Sequence, residues 1–277
     1  MTTAGGRIAR RFSELAAQGR RALIPYVVAG DPDPGITVML MHRLVAAGAD
    51  IIELGVPFSD PMAEGPVIQK GHERALAQGV SLRDALAMVS EFRQKDQDTP
   101  VLLMGYANPV VGMGFAAFAD AAQAAGLDAL LTVDMPPEEV EELNAELKRT
   151  GLDNIFLVAP TTARQRIEKI AEVATGFVYY VSLKGVTGAG HLDINDVAEH
   201  LAQIRACSDL PVAVGFGIKD AQSAAAIARV ADGVVVGSAL VQLIADRVAE
   251  GESTQAAADA AAGMLGEIRA GIDNELV

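Results

Sequence analysis

Basic charge is in short supply along this chain. Twenty-two lysines and arginines stand against 36 aspartates and glutamates, a formal net charge of -14 at pH 7. A nucleic-acid surface needs a basic stripe to displace counterions from phosphates, so that class is excluded. Cysteine is scarcer still: the one thiol, Cys207, has no internal partner for a disulfide, which suits a reducing cytoplasm. The four histidines, His42, His72, His191 and His200, form no ligand-spaced pair, so no metal site is expected. Hydrophobic residues make up 51% of the 277 positions, but Gly, Asp or Pro interrupts the apolar runs well short of the roughly 20 residues a membrane helix needs. The opening stretch, Met1 to Gly19, lacks the apolar core of an export signal and reads as an amphipathic helix around Ile8 to Ala17. No Ser/Pro-rich linker divides the chain, which predicts one domain over residues 1–277.

Against these absences stands one expensive residue. In Asp50-Ile51-Ile52-Glu53-Leu54-Gly55-Val56-Pro57-Phe58-Ser59-Asp60-Pro61, a carboxylate interrupts an apolar strand and is followed by a stiff, acidic loop. Ile51, Ile52 and Leu54 bury easily, whereas Glu53 carries a large desolvation cost unless it is partnered or held neutral for a chemical purpose. A Lys or Arg from a neighbouring strand is the purely structural alternative.

A recurring phrase frames that residue. Ala46-Ala47-Gly48-Ala49-Asp50-Ile51-Ile52-Glu53, Ala124-Ala125-Gly126-Leu127-Asp128-Ala129-Leu130-Leu131 and Arg229-Val230-Ala231-Asp232-Gly233-Val234-Val235-Val236 each end a helix in small residues, turn through Gly or Asp and enter an apolar strand. Strands this uniformly apolar belong to parallel sheets covered by helices. Eight such strands are expected, near Leu23 to Val28, Asp50 to Leu54, Pro100 to Tyr106, Asp128 to Val133, Asn154 to Val158, Phe177 to Val181, Pro211 to Gly215 and Gly233 to Val236. Amphipathic segments alternate with them, among them Glu138 to Arg149 after the acidic turn at Pro136-Pro137. The pattern predicts a (β/α)8 TIM barrel with an extra N-terminal helix and a C-terminal capping helix around Gln255 to Ala270; a doubly wound open sheet is the competing architecture. In such a barrel the reactive groups stand at the carboxyl ends of the strands, here Asp31, Glu53, Tyr106, Asp134, Tyr179, Gly215 and Gly237.

Strands seven and eight both end in glycine before a helix, in Gly215-Phe216-Gly217-Ile218 and Gly237-Ser238-Ala239. Such turns let the backbone approach a phosphate and bind it through amides without a lysine. The loop Ser182 to His191 after strand six, rich in glycine, is suited to closing over a barrel mouth; its Lys184 and His191 are weaker candidates for chemistry.

Taken with Leu23-Ile24-Pro25-Tyr26, Ala29-Gly30-Asp31-Pro32, Leu103-Met104-Gly105-Tyr106-Ala107-Asn108-Pro109 and Gly185-Val186-Thr187-Gly188, these motifs give a chain that resembles the tryptophan synthase alpha chain family from end to end. The resemblance implies a carbon-carbon lyase that cleaves indole-3-glycerol phosphate by a retro-aldol reaction into indole and glyceraldehyde 3-phosphate, with no cofactor and no metal in this chain. It implies that Glu53 shuttles the protons, assisted by Tyr179, and that Glu64 stands where the family usually has an aspartate that accepts the indole N–H. It also implies an indole pocket lined by Tyr26, Met104, Leu131 and Phe216, with Tyr106 among the substrate-binding residues, and a phosphate held at Gly188, Gly217, Gly237 and Ser238. Thr187 is implied to close toward Asp60, which couples the site to a partner. That partner is a pyridoxal-phosphate (PLP) beta chain in an α2β2 complex, expected to meet the loop Phe58 to Pro66 and the segment Asn108 to Gly114, with Pro109, Val110, Val111 and Met113 exposed. A different phosphate-binding barrel, such as a sugar-phosphate isomerase or prenyl-glycerol-phosphate synthase, lacks the Glu53 motif; a subunit that binds phosphate and mainly activates a partner is the alternative of another class.

Overall fold

The computed structural model of the chain describes residues 6–181, 194–215 and 217–275. Eight parallel strands close into a barrel: β1 (Ala22–Val28), β2 (Ile52–Gly55), β3 (Val101–Gly105), β4 (Ala129–Thr132), β5 (Asp153–Val158), β6 (Val178–Val181), β7 (Val212–Gly215) and β8 (Gly233–Val236). Each pairs with its neighbour in sequence, and β8 returns to β1 in the register Ala22↔Gly233 to Pro25↔Val236. That closure decides against the open sheet.

The recurring phrase has a structural job. The amide N–H of Asp50 donates to the carbonyl of Leu23 while its carboxylate accepts the Leu23 N–H, both at 2.9 Å. Asp128 does the same to Val101 and Asp232 to Val212. Each aspartate therefore fixes the register of its strand against the preceding one. Each also takes an arginine: Asp50 that of Arg269 (3.2 Å), Asp128 those of Arg93 (2.6 Å) and Arg7 (2.9 Å), Asp232 that of Arg205 (2.9 Å).

Alternation along the strands sorts side chains into two cores. Leu23, Ile52, Leu54, Leu103, Leu130, Val178, Val212 and Val234 face the helices, whereas Ile24, Ile51, Leu102, Leu131, Ile155, Phe177, Ala213 and Val235 fill the barrel interior. The helix Arg7–Ala17 plugs the amino end of that interior with Ile8, Phe12 and Leu15, and the Phe12 and Phe177 rings lie 5.6 Å apart. The helix Thr254–Glu275 lies against the helices Thr37–Ala46, Ala221–Ala228 and Ser238–Ala249, covering the seam where β8 meets β1. With one end plugged, the carboxyl end is left for chemistry.

Two helices depart from the sequence expectation. Pro66–Ala77 and Ala107–Met113, to which the sequence assigned no helix, are helical. The first starts with proline at a position that tolerates a missing N–H, and it buries only Gly71, His72 and Ala75, so no apolar period marks it. In the second, Val110 is buried and not exposed as expected, while Val111 stays 54% exposed. The acidic helix begins at Glu141 and not Glu138, with Glu141 and Glu142 in its first turn and Lys148 and Arg149 in its last, matching the helix dipole at both ends.

Candidate active site

Ile51 belongs to the interior core and Ile52 and Leu54 to the outer one, so strand alternation points Glu53 into the barrel. Its side chain is fully buried, and among the described residues neither carboxylate oxygen has a hydrogen-bond partner. Among the described residues, which include both neighbouring strands, no arginine or lysine neutralises it, which removes the structural alternative. Burial, with a contribution from the charge of Glu64, pushes its pKa up to about 8. At neutral pH Glu53 therefore holds a proton that it can give away.

Tyr26 on β1 is in register with Glu53 on β2, and Tyr179 on β6 faces the same interior. Burial raises both phenols well above their ordinary range, helped at Tyr26 by the charges of Glu64 and then Glu53 and at Tyr179 by that of Glu53, so each remains protonated. The strands were built to admit these rings: the Tyr26 hydroxyl occupies the space that a Cβ on Gly55 would need, and the Tyr179 hydroxyl does the same to Gly215.

Glu64 arrives from the loop after β2 and is buried as well. Tyr106, just past the end of β3, donates its hydroxyl to Glu64 Oε2 at 3.2 Å and accepts the amide N–H of Ala63 at 3.0 Å. The Tyr106 ring stacks on Phe58 with centroids 4.7 Å apart. His72 Nε2 lies 3.5 Å from the same carboxylate oxygen, whereas Oε1 has no partner among the described residues. Burial raises Glu64 to about 7 against the opposing hydrogen bond from Tyr106. Two carboxyls with different environments thus titrate around neutrality, the arrangement from which an acid and an anion can be drawn at one pH.

A cavity of about 320 Å3 opens at this end of the barrel, bounded by Tyr26, Met104, Tyr179, Gly217, Gly237 and Ser238. All six were expected from the sequence. Ser238 begins the helix Ser238–Ala249, whose amino end borders the cavity and carries no side-chain cap. Gly217 has φ 74°, a left-handed conformation that side chains rarely adopt. Leu131 is wholly buried in the interior core that contains Tyr179, and Tyr106 stands with Glu64; neither they nor Glu53 line the cavity, although Tyr26 and Tyr179, close to the carboxyls, do. Thr187, Gly188 and Phe216, like Lys184 and His191, fall outside the described residues. Asp60 is exposed and accepts the Ser59 hydroxyl at 2.6 Å.

Three residues here escaped the sequence. Ile68 adds an apolar wall, and Lys219 brings a cation to the glycine turns, which were expected to manage without one. His72 joins Tyr26 to Glu64; only its place four residues before Leu76 on an unmarked helix could have pointed to it. Among the described residues no cluster of His, Cys, Asp and Glu could hold a metal ion, and no helix is long and apolar enough to cross a membrane.

Comparison with known proteins agrees with this geometry. A family profile described as tryptophan synthase alpha chain matches residues 12–269. The tryptophan synthase alpha chain of Nitrosococcus oceani is 64% identical over 238 residues, 86% of this chain and 88% of its own. That of Cupriavidus taiwanensis is 58% identical over 267 residues, 96% and 99% of the two chains. The crystal structure of tryptophan synthase subunit alpha from Legionella pneumophila superimposes with a TM-score of 0.91 at 44% identity, covering 98% of this chain and all of that one. The barrel, the paired carboxyls at its carboxyl end and these likenesses lead to one assignment: the chain belongs to the tryptophan synthase alpha chain family.

Proposed function

We propose that this chain carries out the family's reaction, retro-aldol cleavage of indole-3-glycerol phosphate to indole and glyceraldehyde 3-phosphate, with Glu53 as the proton shuttle. The observation that carries the reading is a fully buried Glu53, without a hydrogen-bond partner among the described residues, that keeps its proton near pH 7 and stands in register with Tyr26, which lines one cavity together with two glycine turns. Protonated Glu53 gives its proton to ring carbon C3, which makes the ring an electron sink. The carboxylate so formed takes the proton from the hydroxyl on the adjoining carbon; that carbon becomes the aldehyde as the carbon-carbon bond breaks, and its electron pair returns to the ring. Glu53 ends as it began, and no redox partner or cofactor enters the balance.

Ionised Glu64 accepts the ring N–H and stabilises the positive charge that protonation places on the ring. Tyr179 orients the hydroxyl proton toward Glu53. Tyr26 and Met104 flank the ring, and the phosphate is held by amides at Gly217, Gly237 and Ser238, with Lys219 at the rim. An activating subunit without chemistry of its own has no use for two inward, buried carboxyls.

The apolar side chains of Met62, 84% exposed, and Val111, 54% exposed, lie on the loop after β2 and the helix after β3, and support a partner surface there. The partner in this proposal is a PLP-containing beta chain in an α2β2 complex that receives the indole, in the cytoplasm, with Asp60 coupling the two sites. Purified chain incubated with indole-3-glycerol phosphate, alone and with the beta chain, tests the reaction: indole and glyceraldehyde 3-phosphate should appear in equal amounts in both cases, faster in the second. No product in either sinks the assignment.

A further inference from the structure

His72 is wholly buried on the helix Pro66–Ala77, yet the reaction as written gives it no step. Its Nδ1 accepts the amide N–H of Phe58 at 3.0 Å. A ring nitrogen that accepts a hydrogen bond carries no proton, and burial pushes the imidazole down to about 4, so the neutral ring carries its one proton on Nε2. That Nε2 stands 3.2 Å from the Tyr26 hydroxyl and 3.5 Å from Glu64 Oε2. The Phe58 amide thereby fixes which way the imidazole donates.

We propose that His72 is a positioning residue for Glu64: Tyr106 holds Oε2 by a hydrogen bond, the Nε2–H edge of the imidazole lies beside the same oxygen at 3.5 Å, and Oε1, without a partner among the described residues, is left to receive the ring N–H of the substrate. A glutamate has one more rotatable bond than an aspartate, and the sequence left open how this loop controls the longer reach. Here Oε2 has neighbours on two sides, a hydrogen-bonded phenol just past β3 and the edge of an imidazole on the helix Pro66–Ala77. The same imidazole touches Tyr26, whose strand position is opposite Glu53, so one neutral ring ties the cavity wall to the second carboxyl. The loop end is held too, because the Phe58 amide and the Phe58–Tyr106 stack belong to the same assembly.

This inference rests on the proposed role of Glu64, and the test separates the two. His72→Asn retains an acceptor for the Phe58 amide but no donor that reaches Glu64; His72→Gln places an amide N–H near the lost Nε2–H. For indole release by the purified chain, His72→Asn is expected to lower kcat about 10- to 100-fold with KM within about threefold, and His72→Gln to recover most of that loss. Because His72 acts through Glu64, the double variant His72→Asn/Glu64→Gln should be no slower than Glu64→Gln alone. A His72→Asn rate within about twofold of wild type, or losses that multiply in the double variant, overturns the positioning role while leaving Glu64 in place. A wild-type rate for Glu64→Gln removes both. Should His72→Asn not fold, nitrogen NMR of the wild-type chain decides: the Nε2–H tautomer at pH 7, with an Nε2 resonance that moves in Glu64→Gln, is expected, and an Nδ1–H tautomer or an unmoved resonance rejects the proposal.

Discussion

The Tyr179 hydroxyl fills the place where a β-carbon on Gly215 would stand, and the ring carbon bearing that hydroxyl would lie 2.7 Å from it. The ring is rigid and sits in the interior core, so it cannot give way cheaply. Gly215→Ala should therefore cost about 1–3 kcal/mol of stability and, by displacing the phenol, about 10- to 100-fold in kcat/KM. Thermal unfolding and indole release measure the two effects. Adding Tyr179→Leu should restore stability without restoring activity; a Gly215→Ala variant with wild-type rate would mean that the phenol position is irrelevant to the reaction.

Glu53 and Glu64 share the proton economy of the site, and burial raises both, to about 8 and about 7. The competent form carries one proton, on Glu53, with Glu64 ionised. The pH profile of kcat/KM for the free chain should be bell-shaped with limbs near those values, each belonging to the pair as a whole. Glu64→Gln should remove the acid limb. It should also move the alkaline limb to lower pH, because the Glu64 charge helps to raise Glu53. A profile flat from pH 6 to 9 would contradict this assignment.

The same buried carboxyl weakens the fold at neutral pH. Glu53 binds its proton up to about pH 8 in the native state, against an ordinary value of 4.5 in the unfolded chain. Between these values the native state holds the extra proton, so its contribution falls as pH rises and is lost fully above about pH 8. Glu53→Gln abolishes that fall. In paired unfolding curves the variant should gain on wild type from pH 5 upward, levelling off at about 5 kcal/mol above pH 8. The opposing influence of His72, neutral when buried, is common to both proteins and cancels. A stability difference that does not change with pH would show that Glu53 is ionised in the folded chain.

Asp128 binds two arginines and the Val101 amide at the start of β3 and β4. Asp128→Ala strands the buried Arg93 beside the Gly126 and Thr99 carbonyls and should cost about 3–5 kcal/mol in chemical denaturation. Since this cluster lies at the amino ends of the strands, the folded fraction should keep the wild-type KM. A loss below about 1 kcal/mol would make the recurring aspartate dispensable for register.

How much of this was legible in the sequence follows from what each residue had to announce. The strands were readable because two-sided burial makes them uniformly apolar and Gly or Asp punctuates them, and the repeated aspartate proved to be a register device. Glu53 declared itself by its cost, and the turns at Gly217 and Gly237 by residue type. The helix Pro66–Ala77 was not readable, since a helix that buries only Gly71, His72 and Ala75 has no apolar period. His72 went unnoticed for the same reason: its partners Tyr26, Phe58 and Glu64 come from three segments that only the barrel brings together. Lys219 looked like an ordinary surface charge, and only the closure of β7 and β8 puts it beside Ser238.

The proton held by Glu53 is tested most directly by the rate of indole release in Glu53→Gln at saturating indole-3-glycerol phosphate, with substrate affinity measured on the same preparation. The amide copies the shape of the protonated acid but can neither give nor take the proton. Turnover should fall at least about 1,000-fold, from loss of general acid-base catalysis, while the dissociation constant of the substrate stays within about threefold. A Glu53→Gln chain that releases indole within about tenfold of the wild-type rate would place the proton transfer on another residue.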